Sequence, residues 1–279
     1  MEGLNVLSLF DGMSCGMIAL DRKGVKVKNY YASEVDKHAI KVCQYNWPNT
    51  VQLGSVLNWR DWEIDWNSID LLLAGSPCQG FSFAGKQLAF DDPRSKLYFE
   101  FESILLEKKP KNFLLENVKM AKKNSQVISD RLGVDCVAIN SNILSAQNRQ
   151  RLYWTNLSIS EAQDKGITLE HIIDHSVVTT PVGNWQRYVP DNLPVYVDPY
   201  NRKAICGGKS TSLRTNVHNG NMWVKMDSGG YRNLTRRECE LLQTVPLDYT
   251  KSVSETQAKK MLGNGWTVDV IAHIFEGLK

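Results

Sequence analysis

No two cysteines of this 279-residue chain stand in a CxxC spacing, and the six it has (Cys15, Cys43, Cys78, Cys136, Cys206 and Cys239) follow no regular interval. That argues against a disulfide framework and against a zinc ribbon. No apolar run approaches the roughly 18 residues a membrane span requires, and the opening MEGLNVLSLF lacks the basic stretch of a secretory leader. Thiols are therefore expected to stay reduced, in a cytoplasmic or nucleoid-associated protein with no membrane partner. A GxGxxG fingerprint is absent, which argues against a nicotinamide cofactor. His171 and His175 have the spacing of a metal pair, but no third ligand and no HExxH accompany them, so no metal is expected. There is no low-complexity tract and no internal repeat.

Charge is present but weak, with a net of +3. Its distribution says more: Gln147 to Arg237 holds twelve Lys/Arg against seven Asp/Glu, and the remainder is slightly acidic. A basic segment on a near-neutral body suits a phosphate backbone, though many surfaces that bind nothing look the same.

Short apolar runs alternate with helical patterns through the first half. NVLSLF reads as a strand, followed by a Gly-bearing turn and a helix through CGMIALDRKG closed by Gly24. VKNYYAS is a second strand and VDKHAIKVCQYNW a helix ended by Pro48. IDLLLAG, NFLLEN, VDCVAIN and RLYWTN are further strands, with RSKLYFEFESILLEKK a helix between the first two. Fully apolar strands separated by helices predict a parallel sheet covered on both faces. That is a doubly wound α/β fold, which gathers ligands at the carboxyl ends of its strands. From about Ser158 to Asp227 the chain turns rich in Asn, Gly, Pro and isolated aromatics, which predicts a small irregular lobe. Helical pattern returns at LTRRECELLQTV, with Thr235 a plausible cap, and at VDVIAHIFEGLK.

The strand ends are where chemistry is expected. After the first strand, in FDGMSCG, Gly12 permits a sharp turn and a close ligand approach at a helix N-terminus. After the second, Glu34 is placed to accept hydrogen bonds from ribose hydroxyls. Together they suggest an adenosine-containing cofactor. The third strand runs into Ser76-Pro77-Cys78, where Pro77 fixes its own φ and restricts Ser76. Most free cysteines are small buried hydrophobes. The polar continuation Gln79-Gly80-Phe81-Ser82 fits a nucleophile better. After the fourth strand, Glu116 could act as a general acid or anchor an amide-like ring edge. In QNRQR, extended alternation would put Gln147, Arg149 and Arg151 on one face, suited to a substrate carbonyl or phosphate, or else a solvated basic edge.

In order, FDGMSCG, SEVD, GSPCQGFS, ENV, QNRQR, YRNLTRRECELL and LGNGWTVDVIAHIF resemble the successive motifs of the DNA (cytosine-5) methyltransferase family. They span essentially the whole chain except the lobe, and details such as LFDG and GNGWTV look more like the family's de novo branch than its usual bacterial pattern. The resemblance implies a Rossmann-like methyltransferase sheet with a small irregular target-recognition lobe. It implies S-adenosyl-L-methionine as cofactor and double-stranded DNA as substrate. Cys78 would add to C6 of cytosine, so that C5 becomes able to take a methyl group. Glu116 would pair with the N3/N4 edge, and Arg149 and Arg151 would hold O2 or orient the nucleophile loop, which runs through Phe90. The base must be flipped out of the duplex for this to happen. For the cofactor, the family pattern carries onto Phe10, Asp11, Gly12, Met13, Glu34, Val35, Pro77, Leu97, Asn264 and Trp266. Ser55 stands where the family usually has an Asp that bonds the adenine amino group, and a serine accepts that bond more weakly.

The implied division is a cofactor-binding catalytic domain at 1–157 plus 250–279, and a target-recognition lobe with a linking helix at 158–249. Trp185, Arg187, Tyr188, Arg202, Lys203, Lys209 and Arg214 mix aromatic and basic groups in that lobe, which would read base edges in the major groove. Two other readings are an RNA cytosine methyltransferase, whose Cys-Phe-Thr signature is absent, and a non-catalytic DNA-binding homologue, which would have lost Pro-Cys or Glu-Asn-Val. The pattern names neither a target sequence nor an oligomeric state.

Overall fold

The apolar runs become strands where the sequence places them. The computed structural model describes residues 3–76, 96–182, 195–205, 208–215 and 221–278. Pro77, Cys78 and the loop through Phe90 lie outside the described residues, as do Trp185, Arg187 and Tyr188 of the lobe. The first half runs β1 (Leu4–Leu9), α1 (Cys15–Arg22), β2 (Val27–Ser33), α2 (Lys37–Asn46), β3 (Val51–Gln52), β4 (Leu71–Gly75), α3 (Lys96–Lys108), β5 (Asn112–Val118), α4 (Lys122–Leu132) and β6 (Val137–Asn140). There follow β7 (Gln147–Asn148), β8 (Gln150–Thr155), β9 (Tyr196–Asp198), β10 (Lys203–Ala204), β11 (Ser210–Thr211), β12 (Trp223–Lys225) and β13 (Tyr231–Asn233). The chain closes with α5 (Arg236–Leu242), α6 (Glu255–Asn264) and α7 (Val268–Ile274).

Seven strands form one sheet in the order β3-β2-β1-β4-β5-β8-β6. β1 pairs in parallel with β2 and β4, β4 with β5, and β2 with β3. The reversal of order at β1 and β4 makes their carboxyl ends a topological switch point, where open α/β sheets bind ligands. The sheet is not parallel throughout, because β8 runs antiparallel to β5. Only residues 141–149 separate β6 from β8, too few for the crossover helix that a parallel return needs.

Leu7, Leu9, Leu72, Ala74 and Leu115 of the central strands are fully buried, packed with Trp59, Tyr98, Phe101 and Trp154. At α1 the end follows from Gly24, whose φ of +66° lets its N–H reach the Asp21 carbonyl. Asp36 starts α2 by accepting from the His38 and Ala39 N–H groups.

Two compact units emerge: residues 1–139, 150–160 and 271–279, and residues 140–149 and 161–270. The expected boundaries differ from these, since 140–149 and 250–270 cluster with the second unit. That unit is also more regular than the predicted irregular lobe. It holds an antiparallel sheet in the order β10-β9-β12-β13, the short parallel pair β7–β11, and helices α5 and α6. Its strands are only two or three residues long, too short for hydrophobic alternation to show. Val197, Trp223 and Tyr231 form its small apolar cluster, with Val182 against them. Beside it, the fully buried Arg232 guanidinium meets both oxygens of Glu238, at 2.8 and 2.9 Å, and donates to the carbonyls of Asp174, Val177 and Asn233.

Candidate active site

The turn after β1 has three residues with positive φ in a span of five: Phe10 (56°), Gly12 (60°) and Ser14 (65°). Such backbone is strained for Phe and Ser, and side-chain bonds hold it. Asp11 is the hub. It is 9% exposed, and its carboxylate accepts from the Ser14 hydroxyl and from Tyr30 Oη at 2.8 Å. Burial pushes the Asp11 carboxyl up from 3.8 to about 6; hydrogen bonds from Ser14, Ser8 and Tyr30 pull it back, and the Glu34 charge adds to the rise. Tyr30 and Ser14 had no role in the sequence reading. A tyrosine hydroxyl beneath a strand-end carboxylate leaves no trace in local pattern.

Glu34 ties the first two strand ends together. Its Oε2 accepts from the Gly12 N–H at 2.7 Å, and its Oε1 from the N–H groups of Val35 (2.7 Å) and Asp36 (2.8 Å). A carboxylate offers about four lone-pair sites, so acceptor capacity is left for a ligand hydroxyl. A Cβ built on Gly12 would meet nothing within 4 Å, so the turn opens onto free space. Val35 is 73% exposed, an apolar side chain left without cover beside that space. Ser55 caps the 3-10 turn Val56–Asp61, with its hydroxyl accepting from the Leu57 N–H at 3.3 Å. It follows β3, and Ser33 at the end of β2 bonds the neighbouring Gly54 carbonyl at 2.8 Å. Phe10 and Leu97 lie half-buried against the core, while Met13 is 1% exposed and belongs to it.

The next two strand ends carry the second group. Glu116 stands in register with Gly75 of β4. Across the antiparallel pair it faces Tyr153, and Arg151 faces Val118, so Glu116 and Arg151 are diagonal neighbours on one face. Arg151 Nε lies 2.9 Å from Glu116 Oε1, and both side chains are mostly buried. Asn117 donates to Ser76 Oγ at 3.3 Å, tying β5 to the point where the chain enters the Pro77-Cys78 segment. Two other thiols are poor candidates for a nucleophile. Cys43 and Cys239 are buried, and burial raises both, Cys239 to about 12.

Gln147, Arg149 and Arg151 do not share a face as expected. β7 ends at Asn148 and β8 begins at Gln150, so Arg149 falls in the break. Asn140 Oδ1 accepts from its N–H at 2.9 Å, and its carbonyl accepts from the Ser141 N–H. Gln147 is fully buried, donating to Leu242 O and Gln243 Oε1 and accepting from the Leu213 N–H. Arg149 is 4% exposed and donates to Ser212 Oγ, Leu213 O, Gly263 O and Gly265 O at 2.9–3.1 Å. Within the same unit, Asn264 is exposed and Trp266 half-buried.

His171 bonds Thr168, and His175 lies within 3.2 Å of Tyr196 Oη and 3.6 Å of Glu170. Among the described residues no three His, Cys, Asp or Glu gather as metal ligands, and no helix is long and apolar enough to cross a membrane. Of the lobe's candidate readers, Lys209 donates to the carbonyls of Asn142, Ser145 and Ile167, which explains its position without a ligand. Arg214 stacks 4.3 Å over Tyr200 and lies 3.7 Å from Asp198, while Arg202 and Lys203 are exposed.

Comparison with known proteins follows the same residues. The family model described as C-5 cytosine-specific DNA methylase matches residues 4–157 and 199–279. The Type II methyltransferase M.NlaIV of Neisseria lactamica is 32% identical over 268 residues, covering 88% of this chain. The chain spans only 59% of that relative's length. The Type II methyltransferase M.NlaX of the same species is 28% identical over 312 residues, covering 98% of this chain and 96% of its own. Among solved structures, the Entamoeba histolytica methyltransferase EhMeth has a TM-score of 0.75 at 17% identity over 100% of both chains, which is a likeness of fold.

Proposed function

The chain belongs to the C-5 cytosine-specific DNA methylase family, and from that premise we propose that it transfers a methyl group from S-adenosyl-L-methionine to C5 of cytosine in double-stranded DNA. The observation that best supports this is the carboxyl edge of β4 and β5. There Glu116, paired with Arg151, stands beside the strand that leads into Ser76-Pro77-Cys78.

The described strand ends fit the cofactor. Glu34 keeps acceptor capacity for the ribose, Gly12 leaves open space for a close approach, and exposed Val35 offers an apolar surface for the adenine. Phe10, Asp11, Met13, Ser55, Leu97 and Pro77 complete the proposed set, and Asn264 and Trp266 are carried over on the family pattern. When bound, the cofactor supplies an electrophilic methyl group on a sulfonium.

The protein's own part is to make C5 a nucleophile. The Cys78 thiolate forms a bond to C6 of a flipped-out cytosine, and the C5=C6 electron pair shifts onto C5 as N3 gains a proton. Glu116 holds the N3/N4 edge while that charge moves, and Arg151 supplies a fixed cation beside it. After the methyl group is in place, loss of the C5 proton expels Cys78 and restores the aromatic ring.

A trapped adduct tests the chemistry. Duplex DNA carrying 5-fluorocytosine has no C5 proton to lose, so with S-adenosyl-L-methionine it should form a complex with the protein that survives denaturation. The Cys78→Ala variant should form none. If the wild-type chain transfers methyl groups yet never accumulates the adduct, the covalent route is wrong. An RNA duplex that is trapped in place of DNA would favour the RNA-acting reading.

A further inference from the structure

We propose that Asp11 is a positioning residue for the cofactor: as a carboxylate it holds the Phe10–Ser14 turn in the shape that binds, and a proton on it loosens that hold. This rests on the S-adenosyl-L-methionine reading above. Every group involved lies between Ser8 and Cys43, inside the first compact unit. The turn follows the carboxyl end of β1, at the switch point between β1 and β4 where such sheets bind ligands.

The chain gives up stability to build this turn. Ser14 stands at the N-cap of α1, where a serine ordinarily accepts from an N–H of the first helical turn. Here its backbone is left-handed, with φ 65° and ψ 43°, and its hydroxyl caps no N–H. It donates to Asp11 Oδ2 instead. Tyr30, 3% exposed, donates to Asp11 Oδ1 at 2.8 Å. The backbone is fastened to the end of β2 as well. The Asp11 N–H donates to Ser33 O at 3.2 Å, and the Gly12 N–H to Glu34 Oε2 at 2.7 Å. Asp11 is buried with a hydroxyl on each oxygen, so its effect on a ligand passes through the turn. Strained φ at Phe10 and Ser14, an unused cap and a buried acid together mark a conformation kept for function.

Protonation breaks the pattern. A carboxylate accepts on both oxygens, whereas a carboxyl group carries a donor on one of them. One of the two hydroxyls must then turn away or change role, and the turn loses a restraint on its positive φ values. The other titratable groups facing Asp11 are Tyr30 on β2, Glu34 beyond its end and Cys43 on α2; Ser8 adds a hydroxyl from β1. Burial raises both Tyr30 and Cys43, so these keep their protons through neutral pH. Asp11 is itself pushed up to about 6, chiefly by burial, and so changes state in a range where binding can be measured.

Binding of radiolabelled S-adenosyl-L-methionine is followed by equilibrium dialysis, without DNA, from pH 5 to pH 8. Wild-type affinity should fall about tenfold from pH 7 to pH 5, the ratio of ionised fractions for a group titrating at about 6. Asp11→Asn should bind more weakly than wild type at pH 7 and show no such fall. Tyr30→Phe removes a donor that favours the charged carboxylate, so its inflection should move to higher pH. A tyrosine that served only the fold would leave the inflection in place. A flat wild-type profile, or an inflection that survives Asp11→Asn, would overturn the proposal. If Asp11→Asn does not fold, an unmoved inflection in Tyr30→Phe overturns it equally. Wild-type protein that binds no cofactor at any pH would instead sink the underlying reading.

Discussion

Asp11 makes the sharpest prediction for a single residue. Its folded-state value of about 6 lies above the ordinary 3.8, so the folded protein holds this proton more tightly than the unfolded chain does. Below pH 3.8 both states are protonated and nothing is lost. As pH rises to 6 and beyond, the buried carboxylate lowers stability by an amount approaching about 3 kcal/mol. Asp11→Asn removes that term. Its stability relative to wild type, from urea unfolding at each pH, should climb between pH 4 and 6 and then level off. A flat difference across that range would mean that Asp11 is not held neutral by burial. The strand-end positions of Gly12 and Glu34 were legible in the sequence because each closely follows an apolar strand. Arg149 was not, because its partners at Ser212 and Gly263 lie 63 and 114 residues away.

Among the elements, the longer strands of the first half were legible as runs of strand-forming residues. VKNYYAS became β2 without a residue's difference, IDLLLAG shortened to LLLAG in β4, and NFLLEN gained Val118 in β5. Helices α4 (KKNSQVISDRL) and α6 (ETQAKKMLGN) were missed because few apolar residues mark their inner faces. The start of α5 was legible. Thr235 caps it, and Glu238 closes the capping box by accepting from the Thr235 N–H at 2.7 Å. Glu238 does far more than cap, since it neutralises fully buried Arg232 and also accepts from the Asp174 N–H. The two substitutions should therefore separate. Thr235→Ala should cost about 1 kcal/mol, and Glu238→Ala about 3–5 kcal/mol through the unpaired guanidinium left behind. Denaturant unfolding of the two variants, with equal losses, would show that the buried pair adds nothing beyond the cap.

Across the whole molecule, the basic surplus between Gln147 and Arg237 misleads when read as surface charge. Arg149, Arg151, Lys165, Lys209, Arg214, Arg232 and Arg236 hold partners within the chain. The other five of the twelve are Arg187, Arg202, Lys203, Lys225 and Arg237, and of these Arg202 and Lys203 are exposed. If those five alone met phosphates, log binding constant against log salt would fall with a slope near about −4.5, against about −11 for all twelve. Fluorescence anisotropy of a labelled duplex over a salt series gives that slope, and a value near the steeper limit would mean that the internally bonded cations also reach phosphates on DNA. The α/β fold class was legible in the alternation of apolar runs with helical patterns, while the second unit, built around strands of two or three residues, was not. The most direct test remains methyl transfer itself. The protein is incubated with labelled S-adenosyl-L-methionine and unmethylated duplex DNA, with RNA and the Cys78→Ala variant in parallel, and the nucleosides are identified by mass spectrometry. Label recovered as 5-methylcytosine from DNA, absent from RNA and lost in the variant, is the expected result. DNA that is bound at saturating cofactor but never methylated would contradict it and leave a DNA-binding homologue without catalysis.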